Sequence, residues 1–372
     1  MTRIKVCYII SDINKALAFE WVAEYLDKDE FELHFLLINQ GGSVLENFLI
    51  DNSFRFKRIT SEGKKSIPVS IFKISKYLKK NKIEVVHCHL FEANIVGLIA
   101  AKLVAIKKRI YTRHHSTFHH LYFPRAVWYD RFINWLATDI IAISENVEKV
   151  LIEKENVKPS KIHLIQHGFD LEGFKNGNEE KIQKLKLKYN SNEKLPVIGV
   201  ISRYFSLKGI QYTIPAFATL LQKYPNAYLI LANASGNFKA EISNLLSTLP
   251  ANSFIEIPFE EDIFSLYHLF DIFVHVPINP EIEAFGQTYI EALASGIPSI
   301  FTLSGIAPEF IINGENALVV GFENSEEIYE AFIKILNNDK LKKTLTENGI
   351  KCVKDNFDLP IMIDKLQKLY LS

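Results

Sequence analysis

The chain has 372 residues, 48% hydrophobic and 23% charged, the proportions of a soluble globular protein and too much chain for one ordinary core. Lys plus Arg and Asp plus Glu each number 43, and a formal charge of zero argues against a dedicated nucleic-acid binder. Cys7, Cys88 and Cys352 are odd in number and far apart, so no disulfide framework is implied. The opening apolar stretch, Ile4 to Ile10, is too short for a signal peptide and reads as a first strand. No window holds about eighteen uninterrupted apolar residues, and a cytoplasmic location is expected.

Short apolar runs alternate with helical patterns along the whole chain, the signature of parallel sheets covered on both faces. Strands are predicted at Ile4–Ile10, Phe31–Ile38, Val85–His89, Arg109–Thr112, Asp139–Ile143 and Lys161–Ile165. A polar stretch with a short charged helix follows, and 176–194 is predicted to link a first domain, 1–175, to a second, 195–352. The second set of strands is predicted at Val197–Ile201, Tyr228–Ala232, Phe254–Ile257, Asp271–Val276, Ser299–Thr302 and Ala317–Val319. Two such sheets facing each other across a cleft place ligands at the carboxyl ends of both sets of strands. The tail is helical.

The most informative run is Glu283 to Glu291, with seven residues between the two carboxylates. It reads as a strand, a loop carrying Glu283, a glycine turn, and a helix with Glu291 one turn in. Free amides at such a helix start bind phosphate, and Gly286 lets a ligand approach the backbone. Gln287 and Thr288 supply those first amides, beside Phe285. A carboxylate one turn in cannot sit on the phosphate, but it can accept hydrogen bonds from the hydroxyls of an attached ribose. That suits a sugar nucleotide, with its sugar near Glu283. Glu281 is the alternative if the loop slips.

At Glu283-Ala-Phe-Gly286 followed by Glu291-Ala-Leu-Ala-Ser-Gly-Ile-Pro298, the sequence resembles the E-x7-E signature of retaining GT-B glycosyltransferases, family four in particular. Ser202-Arg203 with Lys208-Gly209 resembles the family's diphosphate clamp. Glu84 to Leu90, Ile143 to Val147, Gln166 to Asp170, and Gly305-Ile-Ala-Pro-Glu309 with Asn313-Gly-Glu-Asn316 match its other landmarks in order. The resemblance covers nearly the whole chain. It implies an α/β GT-B fold of two Rossmann-like doubly wound domains, with a last helix, within 353–372, crossing back to the first domain.

The resemblance also implies a reaction, in which a sugar moves from a nucleotide-diphosphate donor to a glycan or lipid-linked acceptor in surface-polysaccharide or glycolipid assembly. Arg203 and Lys208 would stabilise the departing diphosphate, since fixed positive charge at a developing anion lowers the barrier. Glu283 would position donor hydroxyls or stabilise positive charge at the anomeric carbon. No cofactor and no metal is implied. A histidine after Thr-x at a strand end reaches the active site in the family. His114 has that spacing, and His115 is the reserve because alternation turns one of them away.

The segment Tyr111 to His120 carries four of the 11 histidines, and His87 and His89 share a strand face, so a metal site is the competing reading. No carboxylate or cysteine cluster at ligand spacing accompanies them. Asp27-Lys28-Asp29 reads as a solvated turn, not a metal-binding D-x-D. Lys73, Lys76, Lys79, Lys80 and Lys82 flank an apolar stripe. Lys102 to Leu136 holds seven Lys or Arg against one acid, Asp130, among Trp128, Trp135, Phe118, Phe123 and Tyr122. Such a mixture fits peripheral contact with the inner face of a membrane and equally an acceptor groove.

Three departures from the family stand out. Ser11-Asp-Ile-Asn-Lys15 replaces the glycine-rich loop after the first strand, and Asn233-Ala-Ser-Gly236 replaces Gly-x-Gly. Ile257-Pro-Phe-Glu260 lacks the glycine before the base-binding loop, so the nucleobase is not legible. Rival functions are a GT-B nucleotide-sugar epimerase and a binding module without turnover.

Overall fold

The computed structural model describes residues 3–60 and 63–372. They form two compact units, one of the described residues up to 169 together with 359–372, the other of 170–358.

In the first unit β1 (Ile4–Ser11), β2 (Phe31–Ile38), β3 (Arg55–Ile59), β4 (Val85–His89), β5 (Lys108–Arg113), β6 (Asp139–Ala142) and β7 (Ile162–Leu164) make a parallel sheet of order β3-β2-β1-β4-β5-β6-β7. The order reverses between β1 and β4, so their carboxyl ends flank the switch point of the sheet, where open α/β folds bind ligands. Runs such as Val6 to Ile10 and Val85 to His89 are buried throughout, as strands covered on both faces must be. The unexpected strand is β3, whose Arg55, Lys57 and Arg58 are exposed. It is an edge strand, and charge there blunts the unpaired side, which also hides it from an apolar-run search. The loop after β1 holds its shape without glycine. Asp12 takes the left-handed conformation, φ +50°, and Asn39 brackets Ile13, accepting from its N–H at 3.1 Å and donating to its carbonyl at 2.7 Å.

The second unit contains β8 (Val197–Ile201), β9 (Tyr228–Ala232), β10 (Phe254–Ile257), β11 (Ile272–His275), β12 (Ser299–Phe301) and β13 (Leu318–Val319), in the order β10-β9-β8-β11-β12-β13. The switch point lies between β8 and β11. After β9, Asn233 supplies the left-handed turn, φ +60°, one of the few residues besides glycine that enters this region readily.

The expected boundaries move. The stretch 176–194 is not a bare connection, because the helix Glu179–Lys188 buries Ile182 and Leu185 within the second unit. Lys188 Nζ also reaches Glu260 Oε2 at 2.7 Å. The first changeover falls at Phe169–Asp170 instead. The second falls at Asp358–Leu359, not 353, since the helix Asp339–Phe357 stays with the second unit. The closing helix Leu359–Leu371 buries Met362, Ile363, Leu366, Leu369 and Tyr370 in the first unit. There Tyr370 Oη lies 2.6 Å from Tyr8 Oη and 2.7 Å from His87 Nδ1. Among the described residues no helix is long and apolar enough to cross a membrane.

Candidate active site

In the second unit the candidate residues gather at the carboxyl ends of β8 and β11. After β8 the chain runs through Ser202 and Arg203 into a single 3-10 turn, Ser206–Lys208, closed by Gly209 in the left-handed conformation, φ +75°. A Cβ on Gly209 would stand 1.8 Å from the Val276 carbonyl oxygen, so only glycine permits this approach. The turn aims Lys208 at Glu283, with Nζ 2.5 Å from Oε1. Arg203 is exposed, its guanidinium 4.7 Å from the Phe205 ring centre, and it forms no ion pair among the described residues.

Glu283 is buried. Burial works to raise its pKa, but the Lys208 ammonium and His275 outweigh it and hold the carboxyl at about 2. His275, the last residue of β11, brings Nε2 to 3.4 Å from the same oxygen. Its own pKa is lowered, chiefly by burial. The Glu283 N–H donates to Ser304 Oγ at 3.3 Å. Gly305 packs so closely under the loop that a Cβ there would meet Glu283 Cβ and the Phe285 carbonyl at 2.7 Å.

Gly286, φ +94°, opens the helix Gln287–Ala294. The first amides of a helix have no intrahelical acceptor, and Thr288 Oγ1 beside them is buried without a hydrogen-bond partner among the described residues. Gln287 is exposed. One turn on, Glu291 Oε2 accepts from Tyr267 Oη at 2.7 Å. Burial lifts the Glu291 pKa to about 7, against the smaller opposing pull of Tyr267. Phe285 does not join this surface. Its side chain is buried, edge-on to Phe357 with ring centres 6.1 Å apart, so only its backbone faces the glycine turn.

In the first unit, β5 ends at Arg113 and sends the next two histidines different ways. His114 Nε2 lies 3.2 Å from His89 Nδ1, and its ring stacks on His167. Burial, reinforced by the neighbouring imidazoles, lowers its pKa to about 3, so the ring is neutral near pH 7. His115 turns to Asp130, with Nε2 3.4 Å from Oδ1. Both line a cavity of about 220 Å³.

Residues 22–172 match the family model "Glycosyltransferase Family 4", and residues 181–352 match "Glycosyl transferases group 1". The chain belongs to glycosyltransferase family 4.

This glycosyltransferase is 27% identical to the capsular polysaccharide biosynthesis glycosyltransferase CapM of Staphylococcus aureus, over 100% of this chain and 97% of that one. It is 25% identical to the Escherichia coli UDP-Gal:α-D-GlcNAc-diphosphoundecaprenol α-1,3-galactosyltransferase, over 100% and 97%. Among solved structures, Anabaena HepE in complex with UDP-glucose matches at TM-score 0.84 and 20% identity, over 100% of both chains. A glycosyltransferase of Rickettsia africae matches at 0.83 and 24%, over 100% and 98%. These two likenesses carry the GT-B fold. Family membership makes the enzyme a retaining one.

Sequence reasoning overlooked His275 and Tyr267, which hold the two signature carboxylates. A histidine closing an otherwise apolar strand just before the signature was the available signal for His275. Tyr267 had none, since only the fold brings the helix Ile263–Tyr267 beside Glu291. The competing metal reading named His87 and His89. His87 is hydrogen-bonded on both sides, to Tyr370 and Thr112. Among the described residues the group with converging ligand atoms is His115, His119 and Asp130. There Asp130 already pairs with Arg113, Oδ1 to Nη1 at 3.1 Å, and a guanidinium on the carboxylate opposes a second cation.

Proposed function

We propose that this enzyme transfers a hexosyl group from a nucleotide-diphosphate sugar to a lipid-linked glycan acceptor in the assembly of a surface polysaccharide or glycolipid, without a bound metal. The observation that carries the donor side is the Lys208–Glu283 pair standing beside the Gly286 helix start, with Glu291 one turn in. The diphosphate would lie on the amides of Gln287 and Thr288, with Thr288 Oγ1 as a further donor. Arg203 and Lys208 would meet the charge that grows on the leaving group as the anomeric C–O bond breaks. Glu291 would accept from the ribose hydroxyls.

Glu283, held at about 2, is too weak a base to take a proton efficiently near neutrality. It serves better as an acceptor for donor-sugar hydroxyls that also fixes Lys208. In the first unit His114, neutral near pH 7, is the proposed catalytic group, with His115 as the alternative to it. The acceptor class is supported by relatives such as the galactosyltransferase whose acceptor is diphosphoundecaprenol-linked.

The test is a panel of UDP-, GDP- and ADP-sugars, alone and with a polyprenyl-diphosphate-linked sugar. Slow hydrolysis of one donor, and faster consumption with acceptor, supports the reading and identifies the donor. Interconversion of sugars would establish the epimerase, and binding without turnover the inert module.

A further inference from the structure

The helix Val127–Leu136 in the first unit carries bulky apolar residues on its outer face as well as on its inner one. Its inward positions mix buried Ile133 and Leu136 with polar groups: Asp130 pairs with Arg113, and Asn134 Nδ2 donates to Glu155 Oε2 at 2.7 Å. Its outward positions, Trp128, Phe132 and Trp135, fall at helical spacing and are 72%, 41% and 63% exposed. A surface helix normally turns such residues inward. The aromatic character continues upstream through exposed Phe118, Tyr122 and Phe123. Beneath these, an apolar groove of about 800 Å³ runs between the helix Phe91–Leu103 and Tyr122, Phe123 and Tyr129, with Glu92 and Arg125 among its lining.

The charge of this face is predominantly positive, with Glu92 of the groove on the other side of the balance. Between residues 102 and 136 the sole acid is Asp130, and it is buried. Lys102, Arg125 and Arg131 are all exposed. Two of these cations lie over the stripe itself, with Lys102 Nζ 3.3 Å from the Trp135 ring centre and Arg131 5.6 Å from that of Trp128. A second copy of the chain is a poor occupant, because a two-fold contact would set this positive face against itself. An anionic surface that is polar outside and apolar beneath satisfies both characters. Tryptophan, tyrosine and cations gather at such interfaces.

We infer that the face formed by Phe118 to Trp135 docks on an anionic phospholipid bilayer, with Trp128, Phe132 and Trp135 in the interface, Arg125 and Arg131 on headgroup phosphates, and the groove open to an acyl chain. This extends the proposed use of a lipid-linked acceptor by naming the surface that meets the membrane.

The experiment uses the full chain with no nucleotide and no acceptor, so its failure and that of the transferase reading are separable. The protein is mixed with vesicles of phosphatidylcholine alone, or of equal parts phosphatidylcholine and phosphatidylglycerol, and binding is read by co-sedimentation. The chain has three tryptophans, so Trp21→Phe leaves only the two of the stripe, whose emission should shift to the blue on anionic vesicles. The double variant Trp128→Ser/Trp135→Ser should bind at least about tenfold more weakly. Arg125→Gln and Arg131→Gln should each weaken binding about fivefold, on anionic vesicles only. Melting by circular dichroism checks that the variants fold, and the arginine variants test the face independently of the tryptophans. Absence of wild-type binding to anionic vesicles overturns the proposal. So does binding indifferent to these substitutions, or self-association that the double variant abolishes.

Discussion

Lys208 Nζ and Glu283 Oε1 lie 2.5 Å apart, a buried carboxylate and a partly exposed ammonium brought together from the ends of β8 and β11. The pair ties the proposed diphosphate clamp to the proposed sugar pocket, so a change at either residue acts on both.

Replacing Lys208 by alanine should therefore do two things. Turnover should fall about ten- to a thousand-fold, as when a charge-stabilising donor is removed. Stability should fall by about 2 kcal/mol, less than for a sealed pair because Lys208 is 22% exposed. Arg203→Ala should produce a similar loss of turnover with no loss of stability, since Arg203 is exposed and outside any ion pair among the described residues. Thermal melts beside initial rates make the comparison, and a double variant with near-normal transfer would remove both residues from the clamp.

Glu291 predicts a pH dependence. Its pKa is raised to about 7, so the carboxylate that would accept ribose hydroxyls is lost as pH falls through 7, where a protonated acid donates instead. Donor affinity should decline by up to about tenfold per unit below that point. Glu291→Gln should bind weakly at every pH and lack this component. A 2′-deoxy donor should lose little further on the variant, because the two groups are coupled. Calorimetric titration at several pH values reads all three, and full additivity would place Glu291 away from the ribose.

Glycine is demanded to different degrees at two left-handed positions. At Gly314, φ +79°, no atom of the described residues beyond its chain neighbours lies within 4 Å of where a Cβ would stand, and Gly314→Ala should cost about 1 kcal/mol of backbone strain alone. At Gly209 the Val276 carbonyl stands 1.8 Å away, so Gly209→Ala must also push β11 or the Lys208 turn aside. It should cost clearly more and slow transfer as well. Equal melting temperatures for the two variants would contradict the packing argument.

His114→Ala should reduce transfer far more than nucleotide binding, because the proposed donor-binding groups all lie in the second unit. His115→Ala should be milder, since Arg113 and His119 also hold Asp130. Measuring kcat and donor affinity for both variants decides between them. An effect confined to His115 would mean that the wrong neighbour was chosen.

Most of the strands were legible because parallel strands buried on both faces must be continuous apolar runs, as Val85 to His89 and Val197 to Ile201 are. Phe31–Ile38 and Tyr228–Ala232 appear with the bounds the sequence predicts. The exception, β3, is an edge strand whose side chains answer to solvent. The stretch 176–194 misled for a related reason, since a helix of mean polar character still buries Ile182 and Leu185 when a neighbour covers one side.

At the site, residue order alone determined that Gly286 opens a helix and that Glu291 stands one turn inside it, because turn and helix geometry are local and repeat from residue to residue. Residue order also placed Arg203 and Lys208 in the loop after β8. Only the tertiary structure decided that Phe285 turns into the core, that His275 and Lys208 together hold Glu283 at about 2, and that burial beside Tyr267 lifts Glu291 to about 7. Two carboxylates of one motif thus acquire opposite acidities. The physical reason is that desolvation and charge pairing depend on atoms distant in sequence, from Lys208 to Glu283 and from Tyr267 to Glu291, which meet only when the sheet is assembled.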